Sequence, residues 1–341
     1  MPTQFAEIGD LALARGGTLA AARLAYVTYG SLAPDGRNAI LLTHGFTSSH
    51  LFADGGAAAS EGSWAELVGP GRAIDTSRYF VVSSNMLGSA FGSTAPASIN
   101  PATGREYGPD FPLITLPDIV GAQRRMLDGL GVKELVAVVG PSYGGIQAFA
   151  WGIQYPGFMR GLVPVVTGFR SPDRFDADAM LRRFATDSNW NGGHYYSAGG
   201  ILATMTKLRE ETLRRYGVEV GLKARLPDQA AVDAEINRQA RSWAENFDGH
   251  SMVVLGRALN YFDAAPDLGK IKARVLFVLS RTDALFPPAL AQTIMPALKA
   301  AGVEARYFEI DSPHGHLASG ADAAKWAPAL AAFLGELDNR R

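Results

Sequence analysis

The chain has 341 residues, enough for one elaborated domain or two smaller ones, and 47% of them are hydrophobic while 19% are charged. Because 32 basic residues are balanced by 33 acidic ones, we expect neither nucleic acid nor a membrane surface as a partner. The absence of cysteine excludes disulfides, thiolate metal sites and a cysteine nucleophile. No apolar stretch reaches the length of a membrane span and no secretory pattern opens the sequence, so we expect a cytoplasmic protein without metal or cofactor.

The hydrophobic pattern predicts an α/β fold with a mostly parallel sheet. Residues 11–13 and 23–30 alternate weakly between apolar and polar, which is typical of an antiparallel N-terminal ribbon. After a turn at 34–36 come short apolar runs of the kind found in strands buried on both faces, at 39–43, 79–83, 135–139, 162–166 and 275–279, and a last strand is predicted at 305–310. Helical spacing of apolar residues occurs at 118–130, 145–154, 288–301 and 321–337. Strands alternating with helices predict a doubly wound sheet.

This alternation is interrupted between residues 171 and 265, where helical periodicity and many charges replace the strand pattern. We therefore predict an α/β core formed by 1–170 and 266–341, with 171–265 inserted as a helical cap. Aromatic residues are frequent in the cap and would mostly form its own core. Trp190 and Tyr195 are candidates for lining a substrate pocket.

The clearest chemical motif is Gly140-x-Ser142-x-Gly144, placed between an apolar strand and a helix. A serine at a sharp turn from strand to helix needs small residues two positions before and after it, because neighbouring segments approach too closely for a Cβ. A chance pentapeptide or a phosphate-binding loop is the alternative. The spacing of the glycines does not match the dinucleotide fingerprint, and the flanking elements favour a nucleophilic serine.

A serine nucleophile needs a histidine base and a carboxylate, which in this architecture follow it in the order acid and then histidine. His314 and His316 both lie in the last loop between a strand and a helix. Asp283 follows a buried strand at the edge where catalytic groups converge, and we predict it as the acid. Asp311 is the rival, but its place before Ser-Pro suits a turn better.

The oxyanion hole of such an enzyme pairs the backbone N–H after the nucleophile with one from the loop after an earlier strand. The sequence predicts Tyr143 and Phe46 as these donors. His44, in the same loop as Phe46, would brace the loop by hydrogen bonds and take no part in proton transfer.

Several further segments resemble the homoserine O-acetyltransferase branch of the α/β-hydrolase superfamily, namely 68–76, 92–104, 189–193, 247–248, 257–263 and 285–288. The resemblance covers nearly the whole chain. It implies an α/β-hydrolase fold and places the catalytic triad on Ser142, Asp283 and His316, because the Gly-His pair of the family matches Gly315-His316. It also implies a possible homodimer formed through the cap.

The sequence departs from that branch at two positions. In the family, an aspartate after the catalytic histidine receives the amino group of homoserine, and a cap arginine holds the carboxylate. Here these positions carry Leu317 and, in the best match, Thr204. An unpaired ammonium or carboxylate in a desolvated pocket would be costly, so we expect that homoserine is not the acceptor.

Three functions are open at this point. The first is a serine hydrolase that cleaves an ester or amide of a small substrate through an acyl-enzyme. The alternative is an O-acyltransferase that uses acyl-CoA and an acceptor other than homoserine, and the third is a binding protein on a hydrolase scaffold. Because no acceptor-binding group is evident beside Leu317, the sequence favours hydrolysis over transfer.

Overall fold

The computed structural model describes residues 1–54 and 63–338. Eight strands form one sheet: β1 (Gln4–Ala12), β2 (Thr18–Tyr29), β3 (Ala39–Thr43), β4 (Phe80–Ser84), β5 (Leu135–Pro141), β6 (Met159–Val165), β7 (Arg274–Ser280) and β8 (Ala305–Ile310). Their spatial order is β1-β2-β4-β3-β5-β6-β7-β8. β1 pairs antiparallel with β2, and β2 with β4, whereas all the other pairs are parallel. The predicted antiparallel ribbon and mostly parallel sheet are confirmed.

The central strands are buried because helices cover both faces of the sheet. Every residue of β3, β4, β5 and β7 is buried, which explains their continuous apolar runs. The covering helices are α1 (Leu116–Gly129), α2 (Tyr143–Gln154), α8 (Ala291–Ala300), α9 (Ala318–Ala321) and α10 (Ala323–Asp338). Two separate apolar clusters, one on each face, form the core.

Local chemistry moves several helix ends from their predicted positions. α1 begins before Asp118 because the Asp118 carboxylate accepts a hydrogen bond of 2.7 Å from the Thr115 N–H, closing a capping box over the first turn. The segment predicted as one helix at 288–301 is a 3₁₀ turn, Pro288–Leu290, followed by α8. The last predicted helix, at 321–337, corresponds to α10, and the short α9 comes before it.

Between β6 and β7 the described chain contains no strand. It forms α3 (Ala177–Phe184), α4 (Leu202–Arg215), α5 (Val218–Lys223), α6 (Gln229–Ala244) and α7 (Gly249–Leu259), with 3₁₀ turns at Asn191–Gly193, Tyr196–Ala198 and Ala265–Lys270. We call α3 to α7 and their connections the cap; its exact limits of 171 and 265 stay a prediction. A third apolar cluster joins cap residues to a few core residues such as Ala90, and it includes Trp243 and Phe247, whose rings stack with centroids 4.7 Å apart.

The remaining elements are short. Val68–Gly69 pairs in parallel with Ile74–Asp75, and Ile99–Asn100 pairs antiparallel with Arg105–Glu106. Further 3₁₀ turns lie at Gly108–Asp110 and Gly315–Leu317. Over the described residues, no helix is both long and apolar enough to cross a membrane.

Candidate active site

Ser142 occupies the sharp turn between β5 and α2 in a conformation that non-glycine residues rarely adopt, with φ of +56°. Two hydrogen bonds hold this strained backbone, one at the Ser142 N–H and one at its carbonyl. The Ser142 N–H donates a hydrogen bond of 2.8 Å to the carbonyl of Val165, and the Thr167 hydroxyl donates one of 2.8 Å to the Ser142 carbonyl. The turn therefore presents the Ser142 side chain at the carboxyl edge of the sheet.

The two glycines around Ser142 are required by contact with β3. A Cβ on Gly140 would lie 2.2 Å from the Thr43 Oγ1, and a Cβ on Gly144 would lie 2.2 Å from the Thr43 carbonyl oxygen. Both distances are far below van der Waals contact. Larger residues would push β3 away from the turn, so both glycines follow from the close approach of β3 to the turn and to the start of α2.

His316 and Asp283 form a buried pair at the same edge of the sheet. The His316 Nδ1 lies 2.8 Å from the Asp283 Oδ2, and both side chains are almost completely inaccessible. The other carboxylate oxygen of Asp283 accepts hydrogen bonds from the backbone N–H groups of Leu285, at 2.8 Å, and Phe286, at 3.2 Å. This fixes the carboxylate, which in turn holds a proton on Nδ1 and leaves Nε2 as the nitrogen able to accept one.

The imidazole of His316 is held in place by two aromatic rings. Its centroid lies 5.0 Å from that of Tyr216 in the cap and 5.9 Å from that of Phe286 in the core. Ser142 and His316 line the same small cavity, so the predicted nucleophile and base meet at one place. Gly315 lets the loop of His316 pass close to the cap, because its φ is +55° and a Cβ there would lie 3.1 Å from the Tyr216 carbonyl oxygen.

The structure separates the rival acid and base from this pair. Asp311 is exposed and forms an ion pair of 2.7 Å with Arg281. His314 faces α5 of the cap, where its ring lies within 4 Å of the position that a Cβ on Gly221 would take. It is therefore Asp283 and His316 that the fold brings together.

Phe46 and Tyr143, the predicted oxyanion donors, lie side by side on the wall of the cavity above Ser142. Their rings stack with centroids 5.8 Å apart. Tyr143 is the first residue of α2, where a backbone N–H has no partner within the helix, so the dipole of α2 also points toward Ser142. Their role as oxyanion donors stays a prediction.

The loop that carries Phe46 is braced from below by His44. The His44 Nδ1 lies 2.8 Å from the Gly45 carbonyl oxygen and its Nε2 lies 2.9 Å from the Asn85 Oδ1. Burial lowers the pKa of His44 from 6.5 to about 4, which keeps the ring neutral near pH 7. These contacts agree with a bracing role.

Sequence reasoning missed a second brace, which comes from the cap. The Arg209 Nη1 donates a hydrogen bond of 2.7 Å to the Thr47 hydroxyl, and the Trp243 Nε1 donates one of 2.9 Å to the Thr47 carbonyl. The Arg209 guanidinium also lies 4.9 Å from the Trp243 ring centroid. The helical spacing of apolar residues gives one signal for Arg209, because this spacing places it on the buried face of α4 with Met205, Leu208 and Leu213.

A cavity of about 520 Å³ lies between Ser142 and the cap. Its core wall includes Phe46, Tyr143, Ile146, Leu285 and Phe286, its cap wall includes Met180, Leu208, Tyr216 and Met252, and Phe175 lies just before α3. The volume suits a small organic substrate, and apolar side chains predominate next to Ser142. Arg174, Arg183 and Arg215 also contribute to the lining, and Arg183 and Arg215 are paired with Glu211 and Asp173.

The residues predicted for the substrate pocket do not line this cavity. The hydroxyl of Thr204 donates a hydrogen bond of 2.7 Å to Asp187 within the cap. Trp190 packs 5.7 Å from Tyr195, centroid to centroid, and the Tyr195 hydroxyl binds Asp248 at 2.5 Å. Both aromatics thus belong to the interior of the cap. Leu317 is half-buried directly after His316, and it too is outside the described lining.

A family model described as the alpha/beta hydrolase fold matches residues 38–320. The chain belongs to this family and is an α/β-hydrolase-fold enzyme. A homoserine O-acetyltransferase of Moorella thermoacetica is 37% identical, with 98% of this chain and 96% of the relative covered. A homoserine O-succinyltransferase of Comamonas testosteroni is 34% identical, with 92% and 90% covered. Within the family, the chain therefore resembles the homoserine O-acetyltransferases, as its sequence motifs indicated.

Solved structures of two kinds are similar to this chain. Homoserine O-acetyltransferase from Bacillus anthracis has a TM-score of 0.86 at 26% identity, covering 98% of this chain and 97% of its own. Esterase E22 has a TM-score of 0.84 at 27% identity, covering 98% and 99%. The shared architecture thus accommodates both acyl transfer and ester hydrolysis, while the sequence relatives favour acyl transfer.

Proposed function

We propose that this protein is an O-acyltransferase that moves a small acyl group from a thioester such as acyl-CoA to the hydroxyl of an acceptor other than homoserine. The sequence pattern alone favoured hydrolysis. The observation that carries the choice of transfer is the similarity along nearly the whole chain to relatives named as acetyl- and succinyltransferases, at 34–38% identity. The strained Ser142 beside a buried His316 and Asp283 pair supplies the chemistry.

In the first half of the reaction, the Ser142 Oγ attacks the carbonyl carbon of the donor and its proton passes to the His316 Nε2. The oxyanion that forms accepts hydrogen bonds from the backbone N–H groups of Phe46 and Tyr143. Asp283 stabilises the imidazolium because its charge lies 2.8 Å from Nδ1. Collapse of the tetrahedral intermediate breaks the bond to sulfur, and His316 protonates the departing thiolate.

In the second half, the acceptor hydroxyl replaces the thiol. His316 removes its proton, the acceptor oxygen attacks the acyl carbon, and the proton returns to the Ser142 Oγ as the ester leaves. Transfer succeeds only if an acceptor occupies the site before water reacts. The 520 Å³ cavity under the cap offers room for such an acceptor.

The lining of the cavity and the sequence next to His316 both support an acceptor less polar than homoserine. Aromatic and aliphatic side chains predominate next to Ser142, and Leu317 follows His316 where the resembled family has an aspartate. The Thr204 hydroxyl donates a hydrogen bond to Asp187, and its side chain offers no positive charge to a substrate carboxylate. An amino-acid acceptor would forfeit the contact that the family's aspartate makes with its ammonium, and charge-assisted hydrogen bonds are roughly twice as strong as neutral ones.

The test is to follow free thiol, acylated acceptor and free acid separately, with acetyl-CoA as the donor. The acceptors would be homoserine, 1-butanol and benzyl alcohol at millimolar concentration, and Ser142→Ala provides the inactive control. We expect saturable formation of an acetyl ester with an apolar alcohol that exceeds acetate formation. Efficient acetylation of homoserine would contradict the acceptor assignment, and acetate as the sole product under every condition would contradict transfer.

Ester hydrolysis is the second candidate, because esterase E22 has a similar fold at 27% identity and Leu317 leaves no evident anchor for an amino-acid acceptor. The same experiment separates the two. A hydrolase would convert nitrophenyl acetate to acetate at a rate that millimolar alcohols leave unchanged.

A further inference from the structure

A second, much smaller cavity adjoins Ser142. Its volume is about 10 Å³, and its described lining consists of Gly45, Ser48, Phe52, Pro141, Ser142 and His316. A space of this size holds one water molecule. Of these residues only Ser142 also lines the large cavity, so Ser142 borders two separate chambers.

Ser48 is the unexplained polar group of this chamber. It is 2% exposed, and its Oγ has no hydrogen-bond partner among the described residues. Its backbone N–H, in contrast, is bound to the Gly45 carbonyl at 3.3 Å. A buried hydroxyl without a partner costs about 1–3 kcal/mol, and such groups in folded proteins are commonly satisfied by a water molecule.

We propose that Ser48 is a positioning residue that binds the water molecule which hydrolyses the acyl-enzyme. The inference rests on the proposed acyl-enzyme at Ser142. A water in this chamber has the Ser48 hydroxyl as one partner and is next to both side chains that the reaction needs, Ser142 and His316. Three polar groups are within the number that a buried water usually binds.

The step is balanced without any further reactant. The His316 Nε2 removes a proton from the water, and the water oxygen forms a bond to the acyl carbon. The tetrahedral intermediate then collapses, the bond from the acyl carbon to the Ser142 Oγ breaks, and His316 returns the proton to that oxygen. The acid leaves and the free enzyme is restored.

The two chambers give water and acceptor separate routes to the acyl carbon, and both routes end beside the same His316 Nε2. The acceptor enters through the large cavity under the cap, whereas Ser48 supplies water from the small cavity. Ser48 therefore sets the rate of loss to water independently of how well an acceptor binds. Removing its hydroxyl should suppress hydrolysis and leave the formation of the acyl-enzyme intact.

The test compares the unmodified protein with Ser48→Ala in stopped-flow reactions with nitrophenyl acetate. The fast release of nitrophenol reports acylation, and the slow phase, together with the mass of the acid-quenched enzyme, reports deacylation by water. We expect deacylation to slow about 10-fold, as the loss of one hydrogen bond in the transition state predicts, while acylation changes less than about 2-fold. Ser89→Ala is the matched control, because Ser89 also has a buried hydroxyl without a described partner but does not line the chamber.

A merely structural role for Ser48 would slow both steps, because both use the same Ser142, His316 and Asp283. Equal losses in acylation and deacylation, or an unchanged deacylation rate, would overturn the role of Ser48 and leave the proposed function standing. Release of nitrophenol by Ser142→Ala as fast as by the unmodified protein would instead contradict the acyl-enzyme and the inference together.

Discussion

The hydrogen bond between Thr47 and Arg209 is predicted to hold the loop that carries Phe46 where the Phe46 N–H can bind the oxyanion. Thr47 is the residue after Phe46, and the cap binds it twice, through Arg209 at 2.7 Å and Trp243 at 2.9 Å. Thr47→Val keeps the shape of the side chain but removes the hydroxyl, and Arg209→Met keeps much of the apolar stem but removes the charge. Both changes should move Phe46 and weaken the contact between cap and core.

The expected magnitudes follow from the burial of the pair. Arg209 and Thr47 are 3% and 2% exposed, so their hydrogen bond is barely screened by solvent. A hydrogen bond to a charged group contributes about 1.5–3 kcal/mol, and the stacking of Arg209 on Trp243 adds about 0.5–2 kcal/mol. We expect Thr47→Val to lower the free energy of unfolding by about 2 kcal/mol. Acylation should slow at least about 10-fold, part of the loss seen when an oxyanion donor is removed.

A double-mutant cycle isolates this contact from the other effects of each substitution. The two single variants and the double variant are unfolded in urea, and each is assayed for the fast release of nitrophenol from nitrophenyl acetate. The coupling energy between the residues should be about 1.5–3 kcal/mol in stability, and the double variant should acylate no more slowly than the worse single variant. A coupling energy below about 0.5 kcal/mol, or unchanged acylation in Thr47→Val, would refute this role of the cap.

Three further predictions concern the core of the site. Ser142→Ala should abolish labelling by a fluorophosphonate probe while the fold is retained, and labelling that persists would show that another residue is the nucleophile. His316→Ala should lose about three orders of magnitude or more in turnover, whereas His314→Ala should keep most activity; the reverse result would exchange their roles. Because burial lowers the pKa of His44 from 6.5 to about 4, the unfolded chain takes up its proton first, and the free energy of unfolding should fall by about 3 kcal/mol as the pH drops from 6.5 to 4. In urea unfolding across this range, the free energy of unfolding of His44→Asn should depend less steeply on pH than that of the unmodified protein. Equal slopes would contradict the lowered pKa of His44.

The sheet and the nucleophile turn could be predicted from sequence because their determinants are local. A strand buried on both faces must be apolar throughout, which the run at 135–139 shows directly. The turn needs a residue without a Cβ at Gly140 and Gly144, and those glycines are four positions apart in the chain. Asp283 was accessible to the same reasoning, since the carboxyl end of a parallel strand fixes where its next residues lie.

The cap itself could be predicted from sequence, but its contacts with the core could not, because they join residues far apart in the chain. Arg209 meets Thr47 across 162 positions and Trp243 meets it across 196, so no local pattern encodes either contact. Composition could not show which cap aromatics face the substrate; Trp190 and Tyr195 pack within the cap, whereas Tyr216 reaches His316. Cap side chains form one wall of the large cavity, and other cap side chains hold the loop of Phe46. Substitutions in the cap that change the acceptor must therefore preserve the hydrogen bonds from Arg209 and Trp243 to Thr47.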